Sequence, residues 1–179
     1  MSNCKEKVAV ITGGASGVGY AIGAALAKEG AKVVLGARRK KELDSLVHEI
    51  IQNGGEAVSI AGNVKDESYH QSLVNLAISK YSRLDIAFNN AGIIGKIDEV
   101  SNLSLEQWQE TIDINLTSTF LASKYQLPIM SKNGGSMIFT SSFVGYTVGL
   151  PNLSAYAASK AGIIGLTKVL ACEYASKKV

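Results

Sequence analysis

The stretch Lys7-Val8-Ala9-Val10-Ile11-Thr12 followed by Gly13-Gly14-Ala15-Ser16-Gly17-Val18-Gly19 constrains the fold more than any other part of this chain. A short apolar run ends abruptly in glycines. From Tyr20 onward apolar and small residues recur at helical spacing (Ile22, Ala25, Leu26), the pattern of a helix, until Gly30 stops them. Strand, glycine turn and helix in that order form a phosphate cradle. Glycines let the main chain approach a pyrophosphate, and the helix N-terminus offers unpaired N–H groups with a partial positive charge. The spacing Thr-Gly-x-x-x-Gly-x-Gly differs from the commoner G-x-G-x-x-G fingerprint. A tight turn with no ligand is the plainer alternative, and the flanking strand and helix argue against it.

The same alternation continues. Strands are expected at 31–36, 56–61, 84–88 and 136–140, and helices at 42–53, 66–81, 104–130 and 155–176. Strands alternating with helices at this interval read as βαβ units and hence a parallel sheet. The fold class is therefore α/β, a three-layer, Rossmann-like doubly wound parallel sheet with helices on both faces. Repeats, linkers and low-complexity tracts are missing, so residues 1–179 read as one dinucleotide-binding domain. A net charge of +3 with dispersed basic residues gives no support for nucleic-acid binding. No apolar run approaches the roughly 18 residues of a membrane span, and the N-terminus lacks a signal-peptide layout. Cys4 and Cys172 have no metal-like spacing, which fits a reducing compartment, the cytoplasm by default. His48 and His70 fall on expected polar helix faces, as solvated surface.

In a sheet of this kind ligands lie outside the carboxyl ends of the strands. Several polar or small residues fall there. At the end of the second strand an acid would bind a ribose 2′-hydroxyl, whereas an arginine accommodates a 2′-phosphate. Here Ala37 stands where the acid is expected and Arg38 follows, which favours NADP(H) over NAD(H). A solvated basic helix start at Arg38 to Lys41 is the alternative. Asn89-Asn90-Ala91-Gly92 ends the fourth strand, and Ser141-Ser142 follows the fifth. Asn115 interrupts an apolar helical stretch and needs hydrogen-bond partners if buried. Tyr156 and Lys160, spaced i and i+4, share one helix face. A fixed cation beside a phenol favours the phenolate, which is the form useful in acid–base chemistry. Taken alone, Tyr and Lys at this spacing are common and prove little.

Together these motifs resemble the short-chain dehydrogenase/reductase family, in its branch with the Thr-Gly-x-x-x-Gly-x-Gly spacing. The resemblance rests on Thr12 to Gly19, Asn89 to Gly92, Asn115, Ser141-Ser142 and Tyr156-x-x-x-Lys160, in the family's order along the whole chain. It implies an oxidoreductase that moves a hydride between NADP(H) and a ketone or secondary alcohol. Tyr156 would be the general acid or base, Lys160 its electrostatic support and a ribose ligand, Ser142 the partner of the carbonyl oxygen. Asn115 would hold a relay water. Cofactor contacts are implied for Thr12, Gly13, Ser16, Gly17, Val18, Gly19, Arg38, Asn63, Val64, Asn89, Ala91 and Gly92, with Tyr156 and Lys160. No metal is required. The implied partners are a small carbonyl or alcohol substrate and further copies of the chain, as a dimer or tetramer, with no nucleic acid or membrane.

The chain departs from the family pattern in three places. Asn63 replaces the usual aspartate near the adenine. The interval from Ser142 to Tyr156 is one residue longer than the commonest spacing, leaving Ser141 and Ser142 both open as the catalytic serine. The sequence ends at Val179, where the family continues into a sixth strand and a substrate-covering segment. A truncated product is therefore expected, with the fifth strand as an open apolar sheet edge. A dinucleotide-binding fragment or oligomer-interface module without turnover is accordingly a second reading; an epimerase or dehydratase of the wider superfamily is a third. The visible substrate wall (Ile93, Ile94, Phe143, Val144, Leu150) is apolar.

Overall fold

In a computed structural model, residues 4–179 are described. Five strands form one parallel sheet in the order β3-β2-β1-β4-β5. They are β1 (Val8–Thr12), β2 (Lys32–Ala37), β3 (Glu56–Ala61), β4 (Ile86–Asn89) and β5 (Ser136–Phe139). The helices are α1 (Gly17–Lys28), α2 (Lys40–Gln52), α3 (Glu67–Tyr81), α4 (Leu105–Ile112), α5 (Ser118–Met130) and α6 (Ser154–Tyr174). This is the expected Rossmann-like doubly wound arrangement.

Central position explains the composition of β1. All five of its residues are buried, because helices cover both faces of the sheet there. Val8 and Val10 join the core layer that contains Leu73, Ala77 and Met130. Ile11 joins the opposite layer with Leu35, Leu43, Leu46 and Phe88. The alternation follows the two-residue period of a strand. On α2 the buried residues Leu43, Leu46 and Ile50 make one stripe, as a surface helix requires.

Register brings the ligand-facing ends level. Thr12 lies opposite Gly36 on one side and Asn89 on the other, and Asn89 lies opposite Phe139. The strand order reverses between β1 and β4, which opens a crevice above their carboxyl ends.

Three expectations need correction. The helix expected from about Tyr20 begins at Gly17, so its N-terminus lies inside the glycine motif. The stretch 104–130 is not one helix: a π-helical turn at Asp113–Thr117 separates α4 from α5 and is centred on Asn115. His48 is exposed as expected, but His70 is only 2% exposed. Helix α3 buries consecutive Tyr69 and His70 because it packs both on the sheet and on the 62–64 turn, a wider contact than a single stripe. Strand β5 forms one edge of the sheet, with Ile138 46% exposed, and α6 is mostly uncovered beyond Ile163. No helix among the described residues is long and apolar enough to cross a membrane, and no group of acidic, cysteine and histidine residues there could hold a metal ion.

Candidate functional site

The glycine turn is shaped by contacts that forbid side chains. Gly13 has φ +71°, and a Cβ there would lie 2.9 Å from the Asn90 amide nitrogen. A Cβ on Gly19 would lie 2.2 Å from the Gly13 carbonyl oxygen, so the third motif glycine lets α1 press against the turn. Gly17, at φ +54°, faces open space instead. The N-cap of α1 is Ser16, whose side chain makes no capping bond, leaving the first N–H groups of the helix available. These features fit a pyrophosphate: a bare main-chain surface, an uncapped helix start and room in front of Gly17.

A cleft of about 340 Å³ opens beside this turn. Gly13, Ser16, Val18, Arg38, Asn63, Val64, Ala91 and Gly92 line it, all of them residues expected from the sequence. Arg39 and Asn90 line it too. Arg39 pairs with Glu42 at 3.5 Å, whereas Arg38 makes no ion pair among the described residues. Thr12 and Asn89 are not in the cleft wall. The Thr12 hydroxyl accepts from the Asn90 and Ala91 N–H groups at 3.1 and 3.2 Å. Asn89 is buried and exchanges two amide hydrogen bonds with Gln126, at 2.8 and 3.1 Å. The strand alternation explains this: Asn89 points into the α5 layer, and the next residue, Asn90, faces the crevice. Counting from the strand register, rather than from the motif, would have selected Asn90.

Asn90 starts a connected path. Its Oδ1 accepts from the Thr140 hydroxyl at 3.0 Å, and the Thr140 carbonyl accepts from the Lys160 ammonium at 2.6 Å. Glycine turn and lysine are thus joined through the ends of β4 and β5. Lys160 is 4% exposed, and burial pushes its pKa below that of an ordinary lysine. Its Nζ lies 5.7 Å from the centre of the Tyr156 ring, so the i, i+4 spacing does bring phenol and ammonium together.

Asn115 is fully buried in the π-turn. Its Oδ1 accepts from the Ile93 N–H at 2.8 Å, and its Nδ2 donates to the Ile93 carbonyl at 2.9 Å and to the Ser159 hydroxyl at 3.0 Å. The side chain therefore ties the loop after β4 to α6. A Cβ on Gly92 would lie 3.1 Å from the Asn115 Oδ1 and 3.5 Å from the Lys160 Nζ, so the glycine keeps a small space between them. Of the two serines, Ser141 donates to the Lys160 carbonyl at 2.9 Å, while the Ser142 Oγ accepts from the Val144 N–H at 3.1 Å. In the expected substrate wall Val144 is buried and Ile93 packs into the core; Ile94, Phe143 and Leu150 are exposed.

The family model for short chain dehydrogenase matches residues 7–179. A cyclohexanol dehydrogenase from Acinetobacter sp. is 38% identical over all of this chain and 72% of its own length. A 3-oxoacyl-acyl-carrier-protein reductase from Synechocystis sp. is 39% identical, again over all of this chain and 72% of its own length. Among solved structures, a 3-ketoacyl-ACP reductase from Sinorhizobium meliloti 1021 superposes with a TM-score of 0.93 at 34% identity, covering 95% of this chain and 68% of that one. With the family model spanning nearly the whole chain and the fold matching throughout, the chain belongs to the short-chain dehydrogenase family of NAD(P)-binding oxidoreductases.

Proposed function

We propose that the protein moves a hydride between NADP(H) and a ketone or secondary alcohol, with Tyr156 as the proton donor and acceptor. The observation that carries this reading is the path Thr12–Asn90–Thr140–Lys160, which fixes the lysine relative to the glycine turn. The hydride is the dinucleotide's contribution when it is bound. The chain's own residues bind, orient and move the proton. The uncapped start of α1 holds the pyrophosphate, and Arg38, which has no carboxylate partner among the described residues, faces the 2′-phosphate. Ala37 leaves no acid to hold a ribose hydroxyl in its place.

At the reacting end Tyr156 gives its proton to the carbonyl oxygen in reduction and takes it back in oxidation. The buried Lys160 cation stabilises the phenolate left behind. Ser142 donates to the same oxygen as charge develops on it, because its Oγ already accepts from Val144 and its proton remains available. The space kept open by Gly92 between Asn115 and Lys160 is where a solvent proton is relayed. Ile94, Phe143 and Leu150 give the substrate an apolar surface. The exposed Phe120 of α5 and Val169 of α6 support self-association through these two helices.

The test is NADPH oxidation, followed by its absorbance, with a panel of uncharged ketones. Wild type should consume NADPH faster than NADH, and Tyr156→Phe should lose about 10²–10⁴-fold in rate. Equal turnover in that variant would overturn the role of the phenol. Preference for NADH would overturn the role of Arg38. Dinucleotide binding with no turnover in wild type would favour the second reading, a binding module.

A further inference from the structure

Behind the Gly62–Val64 turn, α3 presents two consecutive buried residues that hydride transfer does not use. His70 Nε2–H donates to the Val64 carbonyl at 2.7 Å, while its Nδ1 is buried with no partner among the described residues. Burial holds the imidazole pKa below its ordinary value, so the ring is neutral and keeps one donor for this bond. An apolar side chain would fill the same volume without burying an unpaired nitrogen. A residue that carries such a cost is worth explaining by the bond it does make.

Tyr69 is built into the same corner. Its hydroxyl donates to the Ile60 carbonyl at 2.9 Å, and its ring meets His70 edge-on with centroids 6.1 Å apart. Both strand ends at the cleft are cut back to glycine to admit it. A Cβ on Gly62 would lie 2.2 Å from the Tyr69 ring, and one on Gly36 would lie 2.7 Å from its hydroxyl oxygen. Gly62, Asn63 and Val64 are cleft residues, and Arg38 follows the same end of β2.

We propose that Tyr69 and His70 are positioning residues for the adenosine half of the cofactor. Tyr69 sets the ends of β2 and β3 through Gly36 and Gly62, and His70 fixes the Val64 main chain at the cleft wall. The proposal rests on the cofactor reading given above, and it concerns binding rather than the proton step.

The experiment measures equilibrium binding of AMP and 2′,5′-ADP to the whole chain, beside its thermal midpoint. Neither probe needs turnover. His70→Phe keeps the ring size and removes the donor; both nucleotides should bind about tenfold more weakly, the scale of one lost hydrogen bond. His70→Gln restores an N–H toward Val64 and should recover to within about threefold of wild type. Unchanged binding in His70→Phe, or no recovery in His70→Gln, would overturn the proposal. If His70→Phe does not fold, Tyr69→Phe carries the test: removal of its hydroxyl should weaken both nucleotides alike, and unaltered binding would count against it. The preference of wild type for 2′,5′-ADP over AMP tests the Arg38 reading alone. The ratio of variant to wild type for each nucleotide tests this one. A wild-type chain that binds neither overturns both.

Discussion

The Lys160 ammonium donates to the Thr140 carbonyl at 2.6 Å, which ties the cation of α6 to the residue after β5. Thr140 is held in turn by its own hydroxyl on Asn90 and by its N–H on the Asn89 carbonyl, at 3.0 and 3.2 Å. The lysine is thus positioned by main chain and by neutral groups. No carboxylate pairs with it among the described residues.

A buried cation with no counter-charge costs stability, and that fixes the sign of its replacement. Lys160→Met keeps the apolar stem and removes the charge. Melting temperature should hold or rise, while the turnover rate falls by about 10²–10⁴-fold. Parallel measurement of thermal unfolding and NADPH oxidation checks both. A variant that melts earlier would mean that Lys160 supports the fold rather than the chemistry.

The space between Asn115 and Lys160 can be filled selectively. Gly92→Ala places a methyl 3.1 Å from the Asn115 Oδ1, closer than ordinary contact, and 3.5 Å from the Lys160 Nζ. Overpacking of this kind costs about 1–3 kcal/mol, readable in urea unfolding. The activity loss should exceed what that instability explains, since the protein remains folded in buffer. Full activity in a folded Gly92→Ala variant would show that the space is not used.

The layered fold was legible, and so was the position of most candidate residues along the cleft, because both rest on local signals. The glycine turn, the two-residue period of β1 and the i, i+4 pair Tyr156/Lys160 all survive folding unchanged. What was hidden depends on contacts distant in sequence. Asn89 and Asn90 are adjacent and chemically identical, and only the register against β1 and the Gln126 amide separates the buried one from the one in the cleft. His70 looked like surface because its partner, the Val64 carbonyl, carries no side-chain signal. The π-turn was partly foreseeable: a polar Asn115 among apolar neighbours had to find partners, and those are Ile93 and Ser159, from other segments.

The two serines differ in where their single proton goes. Ser141 spends its proton on the Lys160 carbonyl, whereas the Ser142 Oγ accepts from Val144 and can still donate. Ser142→Ala should therefore lower kcat by about 10²–10³-fold, the size of a lost oxyanion donor. Ser141→Ala should cost about 1 kcal/mol of stability and far less in rate. The reverse order in a kinetic comparison of the two would transfer the oxygen-binding role to Ser141.

Acid stability has an identifiable contributor in Asp85, at the opposite end of β4 from the cleft. Burial pushes its pKa up, but the Arg83 guanidinium and the Val8 N–H outweigh it and leave the carboxyl below its ordinary value. Arg83 donates from Nε at 2.7 Å and from a terminal nitrogen at 2.6 Å, and Val8 N–H donates at 2.9 Å. A carboxylate whose pKa is lower folded than unfolded adds stability above the unfolded value of about 3.9, and that contribution is lost as pH falls through the folded pKa. Asp85→Asn should thus cost about 1.5–3 kcal/mol near neutral pH, the range for hydrogen bonds to a charged group. The difference from wild type should shrink once the medium drops below about pH 4 and keep falling as pH passes through the lower folded-state pKa. Urea unfolding of both proteins across that range measures it. A difference that stays constant with pH would show that Asp85 acts through packing and neutral hydrogen bonds, with its charge contributing nothing.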